Sequence, residues 1–201
     1  MKTTQRTRQL VGMAALAAII IILQVAVLIP LGPFNITLTL VPLILGAILY
    51  GPVAGAVLGA VFGVVVAIQV VTGAAGPYSF MMFELLPVIT MALCVIKGAA
   101  AGWVSGLIHK LFASMQKVKL GVVLATIVCP IVNTGIFALG LFIFYGNLTS
   151  TWAVEEGFAS IFAFVMVFMI GLNFLVEFAI NVLLSPVVLR IITLVKRQIA
   201  K

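Results

Sequence analysis

The chain runs to 201 residues with a formal net charge of +7, and 65% of its residues are hydrophobic against 7% charged. A water-soluble domain carries about 25% charged residues, so a soluble core, a nucleic-acid-binding domain and a disordered tail are excluded despite the basic balance. What remains is an integral membrane protein of mean hydropathy +1.40, whose charge the bilayer has to explain.

Taking about 20 apolar residues as one crossing, six spans follow in chain order: Leu10 to Ile29, Ile36 to Tyr50, Pro52 to Val71, Phe83 to Leu111, Leu120 to Tyr145 and Phe158 to Leu189. The second is short, and the fourth and sixth are long enough to tilt or project. Lys2, Arg6 and Arg8 precede the first span. Lys110, Lys117 and Lys119 cluster around the end of the fourth, beside His109, and Arg190, Lys196, Arg197 and Lys201 follow the sixth. Basic residues near span ends stay cytoplasmic, so both termini are expected in the cytoplasm and the number of spans is even. The expected fold is an all-α, polytopic single domain over residues 1–201, multi-pass in a bacterial cytoplasmic membrane. The basic start before an apolar run resembles a signal peptide, but the run is long, lacks a small-residue cleavage signal and is followed by Pro30, so an uncleaved first helix is expected. No internal repeat suggests the two-halves design of many carriers.

The cytoplasmic links are the tight Tyr50-Gly51-Pro52 turn and the basic stretch from Phe112 to Lys119, with His109 read as a solvated interfacial residue. The opposite links, from Pro30 to Asn35, Thr72 to Phe80 and Gly146 to Gly157, are punctuated by Gly and Pro and read as loops. Tyr78, Phe80 and Trp152 in them suit either a lid over a small-molecule pocket or an interfacial aromatic belt that also includes Tyr145. Cys94 and Cys129 fall inside spans, where a free thiol acts as a small buried hydrophobe.

Small residues recur every four positions at Gly51, Gly55, Gly59 and Gly63 in span three, at Gly98, Gly102 and Gly106 in span four, and at Ala14 and Ala18 in span one. Each series makes a flat stripe that another helix can approach closely, either inside the protein or on a partner.

The rest of the signal is a polar layer. Counting about 1.5 Å per residue from the cytoplasmic clusters puts Lys97 roughly 18 Å deep, Glu177 roughly 20 Å and Asn133 roughly 21 Å, with Gln24, Gln69 and Asn173 roughly 24 to 26 Å deep. Asn173, Glu177 and Asn181 share one face of span six. Such groups inside spans mark a functional site or an internal pair. One reading is a buried Lys97–Glu177 ion pair with the amides as glue; the other is the floor of a solute cavity. Glu84 stands near the outer end of span four, as a rim group or a solvated one. There is no G-x-x-x-x-G-K-[ST] loop for ATP, no set of Cys and His metal ligands, and no Asp for a Ser/His/Asp arrangement. Enzymatic chemistry is therefore not expected of this chain.

Six spans, the basic start leading to Ala14-x-x-x-Ala18, the Tyr50-Gly51-Pro52 turn into a Gly-ridged helix, and the stretch from Lys97 through Gly98 to Trp103 together resemble an S component. S components are the substrate-binding subunits of energy-coupling factor (ECF) vitamin transporters. Similarity to the pantothenate branch is greatest, followed by the pyridoxine or hydroxymethylpyrimidine type. The resemblance implies an outward pocket formed by spans four to six, a transmembrane T component that docks on Ala14 and Ala18, and two ATPase subunits that use the ATP. It implies no cofactor on this chain and no nucleic-acid partner. Candidate substrate-binding residues are Lys97, Asn133, Asn173, Glu177, Tyr78, Phe80, Glu84, Phe137 and Trp152. A carboxylate vitamin such as pantothenate would use Lys97 with Asn133 and Asn173, and a neutral aromatic one would lean on Tyr78, Phe80, Phe137 or Trp152. The rivals from other classes are a stand-alone proton-coupled carrier relaying through Glu177 and Lys97, and a purely structural membrane protein.

Overall fold

A computed structural model describes residues 2–26, 29–31, 34–36 and 38–199. Gly32 and Pro33 of the first expected loop, and Lys201 of the terminal basic cluster, lie outside the described residues. The helices are α1 (Lys2–Ala26), α2 (Leu40–Tyr50), α3 (Pro52–Val71), α4 (Pro77–Leu85), α5 (Pro87–Ser114), α6 (Val118–Phe144), α7 (Gly146–Glu155), α8 (Ile161–Ala163) and α9 (Gly171–Ile199). A π-helical turn, Phe164–Met169, separates α8 from α9.

Among the described residues, five helical stretches are long and apolar enough to cross a bilayer: Arg6–Ala26, Pro52–Val71, Pro87–Ser114, Val118–Phe144 and Asn173–Val195. The expected second span is different. It starts at Leu40, because residues 34–36 belong to a strand, and its 11 residues cover only about 16 Å of a hydrocarbon core about 30 Å thick. Its buried residues, from Leu43, Ile44 and Leu45 to Ala47 and Ile48, occupy more than one side, as expected of an apolar helix enclosed by others.

The fold is all-helical as expected, with one short hairpin added in the first link. Strands β1 (Ile29–Leu31) and β2 (Phe34–Ile36) pair antiparallel with Ile29 opposite Ile36, and β2 lies against α9. Pro30 and Pro33 oppose a helix here, whereas Ile29, Phe34 and Ile36 are good strand formers. Two other expected loops are partly helical. Residues 77–85 form α4, started by Pro77 in its first turn after Gly76 at φ +98°, a conformation that glycine adopts without strain. Residues 146–155 form α7, which buries Thr149, Trp152 and Ala153.

The long fourth span is in fact two helices. Pro87 supplies no backbone N–H and disfavours helical geometry at the residue before it, and Leu86 sits at φ −138°, ψ 74°. The break is closed by Thr90, whose hydroxyl lies 2.9 Å from the Met82 carbonyl, 2.8 Å from the Leu86 carbonyl and 2.7 Å from the Tyr145 hydroxyl. The sixth span is likewise interrupted by the π turn and Ile170.

The glycine ridges of α3 and α5 pack on each other. A Cβ added at Gly55 or Gly59 would fall on the backbone of Gly102 or Gly98, and one at Gly63 on that of Cys94. The two helices therefore touch backbone to backbone, which seats α5 firmly on α3. Gly51 is not part of the ridge: at φ +96° it makes the turn between α2 and α3.

Two apolar clusters complete the packing. One gathers Ile20, Leu43, Leu58, Val122 and Ile192 toward the basic end; the other gathers Met82, Tyr145, Trp152, Phe164 and Met169 at the opposite end. His109 is buried, 5% exposed, not solvated as expected. Gly121 of α6 leaves room for it, since a Cβ there would meet the His109 ring nitrogen and Phe112.

Candidate functional site

Between the two clusters lies a cavity of about 870 Å³, including the part continuous with solvent. Its apolar wall borrows Phe62 from one cluster and Met82, Leu93 and Met169 from the other. π-helical turns re-aim the helix that follows and are frequent at functional sites. Here Met169 and Ile170 at the end of the turn, then Asn173 and Glu177 on α9, all line the cavity.

Five of the nine expected substrate-binding residues meet there: Lys97 from α5, Asn133 and Phe137 from α6, and Asn173 and Glu177 from α9. The Lys97 ammonium lies over the Phe137 ring, 4.7 Å from its centroid. Among the described residues, this ring and not a carboxylate is the group seated on the ammonium. A cation partly open to solvent on an aromatic face is stabilised by about 0.5–1 kcal/mol, and the contact leaves the N–H donors of Lys97 for a solute. Glu177 is 8% exposed and Asn133 7%. The Asn133 and Asn173 side-chain oxygens are buried without a hydrogen-bond partner, a state that costs about 1–3 kcal/mol each unless a donor arrives. Asn181, next on the same face, donates from Nδ2 to the Glu177 backbone carbonyl at 2.7 Å and does not line the cavity.

The other four expected residues lie elsewhere. Tyr78 and Trp152 are edge to face with centroids 4.9 Å apart, and the Tyr78 hydroxyl donates to Glu156 Oε1 at 2.6 Å. Together they clasp α4 to α7 above the cavity. Burial first, then the bond to Glu156 and the charges of Glu156 and Glu155, push the Tyr78 phenol up from 10.0 to about 12. Trp152 and Tyr145 are buried, 2% and 1% exposed, so neither belongs to an interfacial belt. Phe80 is half-buried and Glu84 exposed; neither lines the cavity. The sequence reading left out Ser79, a small hydroxyl in the Thr72 to Phe80 loop, Thr90 and Thr134, small hydroxyls inside apolar runs, and Gln24 and Gln69, which it placed in the polar layer but not in the site. All five line the cavity.

Ala14 and Ala18 are exposed on α1. Cys94 and Cys129 are buried free thiols, with Cys94 in the cavity wall. Among the described residues, no group of three or more His, Cys, Asp or Glu side chains is gathered to hold a metal ion.

Residues 8–189 match the family model described as ECF transporter, substrate-specific component. No curated protein matches the sequence. Among solved structures the chain is similar to ThiT from Listeria monocytogenes, with 20% identity, a TM-score of 0.62, and 94% of this chain and 98% of that chain covered. At that identity the likeness bears on the fold alone.

Proposed function

We propose, since this chain belongs to the family of ECF transporter substrate-specific components, that its cavity captures a water-soluble vitamin and that the vitamin is pantothenate. The observation that carries this reading is one ammonium, that of Lys97, in a cavity wall that also holds Asn133 and Asn173, whose buried side-chain oxygens have no protein donor. Pantothenate brings a carboxylate for the first, and hydroxyl and amide N–H donors for the second. A charge-assisted hydrogen bond of this kind contributes about 1.5–3 kcal/mol. The basic clusters favour both termini in the cytoplasm and a cavity that opens outward, in a bacterial cytoplasmic membrane. Delivery then falls to a T component docked on Ala14 and Ala18 and to two ATPase subunits that consume the ATP, with no cofactor held by this chain.

Glu177 and the rings of Phe62, Phe137 and Phe174 in the same wall favour a second reading, a neutral or cationic aromatic vitamin of the pyridoxine or hydroxymethylpyrimidine type. Mass spectrometry of small molecules copurifying with the detergent-solubilised chain, followed by titration with pantothenate, pyridoxine, thiamine, riboflavin and folate, separates the two. Binding of pantothenate at micromolar or better affinity is expected. Tighter binding of another vitamin replaces pantothenate, and no binding at all removes the vitamin reading. Uptake by the chain alone, driven by a proton gradient, would point instead to a stand-alone carrier.

A further inference from the structure

Gln24 stands in the last turn of α1 and Gln69 in the last turn of α3, each in the cavity wall and 4% and 8% exposed. Their amides are joined twice. Gln24 Nε2 donates to Gln69 Oε1 at 2.8 Å, and Gln69 Nε2 donates to the Gln24 backbone carbonyl, also at 2.8 Å. The Thr39 hydroxyl, just before α2, donates to Gln24 Oε1 at 3.0 Å. The set is self-consistent. A backbone carbonyl accepts only, so it fixes Gln69 Nε2 toward α1; that turns Gln69 Oε1 toward Gln24 Nε2, and Gln24 Oε1 toward the hydroxyl.

Two consequences follow from counting. The last four carbonyls of a helix have no partner within it, and inside a membrane an unsatisfied one costs several kcal/mol. Gln69 therefore caps α1 at its cavity end. A primary amide also has two N–H donors, and each glutamine spends one on this pairing, so one N–H on each and a lone pair on Gln69 Oε1 are left over. Phe62, Val66 and Val70 in the same wall have no side-chain polar atoms to meet them.

We infer that the Gln24–Gln69 pair is a second polar wall of the ligand site, facing the amides of α6 and α9. It takes a solute group that offers acceptors and a donor side by side, such as an amide, and couples occupancy of the cavity to the cavity end of α1. This rests on the vitamin-capturing reading above. Because coupling between ligand and helix is reciprocal, a ligand that engages the pair holds the last turn of α1, and loss of the pair weakens the ligand.

The test uses the full chain in detergent, with whichever of pantothenate, pyridoxine, thiamine, riboflavin and folate binds the wild type as probe. Gln69→Met and Gln24→Met keep side-chain length and remove the amides. Each is expected to weaken binding at least tenfold, with the double variant no worse than about the weaker single one, because both act on one unit. In the wild type, the probe is expected to slow hydrogen exchange of the backbone amides at residues 21–26, and in Gln69→Met to leave it unchanged. Affinities within twofold of wild type in both variants overturn the inference. So does a wild type whose exchange at residues 21–26 ignores a bound probe, a measurement that does not depend on the variants folding. If no vitamin binds the wild type, it is the vitamin reading that fails, and the inference falls with it.

Discussion

The Asn133 amide oxygen is buried without a protein donor, and a donor on a bound solute would remove the cost of that burial. Asn133→Leu, close in shape and without that oxygen, is expected to raise the stability of the ligand-free chain by about 1–3 kcal/mol and to weaken vitamin binding about tenfold. Thermal unfolding without ligand and calorimetric titration with it read the two effects. A variant less stable when empty would mean that the oxygen already has a partner. Lys97 gives a complementary expectation. Its ammonium lies over the Phe137 ring in the cavity wall, so Lys97→Met should weaken a carboxylate vitamin by one to two factors of ten, about 1.5–3 kcal/mol, and spare a neutral one. Unchanged affinity for pantothenate would take Lys97 out of the binding contact. Lys97, Asn133 and Glu177 were legible in the sequence because depth follows from counting along a helix of fixed rise. The Gln24–Gln69 bonds and the burial of His109 were not, because they depend on which helices become neighbours.

Between elements, the α3–α5 contact turns on glycines without room for a side chain. Gly59→Ala places a methyl group on the backbone of Gly98, so the helices must part, at about 1–3 kcal/mol or more. A Cβ at Gly135 of α6 would meet nothing within 4 Å, so Gly135→Ala should instead stabilise by about 0.5–1 kcal/mol through helix propensity. Unfolding temperatures of the two variants in one detergent decide this, and equal stability of Gly59→Ala and wild type would mean that the ridge is not closely packed. The α4–α7 clasp has a pH signature. The folded Tyr78 phenol titrates near 12 and the unfolded one near 10, so folding favours the protonated form. Its contribution is complete below pH 10 and lost as pH rises toward 12. The difference in unfolding temperature between wild type and Tyr78→Phe should hold to about pH 10 and then shrink. A difference that grows over that interval would contradict the clasp. Neither α4 nor α7 was legible beforehand. Gly76 and Gly157 mark their flanks as turns, and the helices draw their stability from burying Met82 and Trp152, a tertiary effect that local propensity does not carry.

For the molecule as a whole, α1 stands apart. Only 11% of its apolar window is buried inside the chain, against 56% for α3; one side holds Ile20 and Gln24 in the interior, and Ala14 and Ala18 lie exposed on another. An apolar helix face that the chain leaves uncovered meets either lipid or a membrane partner, and lipid makes no demand for small residues. Alanines one turn apart allow close backbone approach, so Ala14→Trp with Ala18→Trp should abolish copurification with a T component and its ATPase subunits. Vitamin binding should stay within about twofold of wild type, because neither alanine lines the cavity. Loss of docking and binding together would mean that the stripe packs within this chain, and retained docking would place the partner on another face. The sequence could not choose between these uses, since Ala14-x-x-x-Ala18 has the same spacing as the glycine ridges. What separates them is that the ridges of α3 and α5 found each other, which left the small-residue stripe of α1 still open.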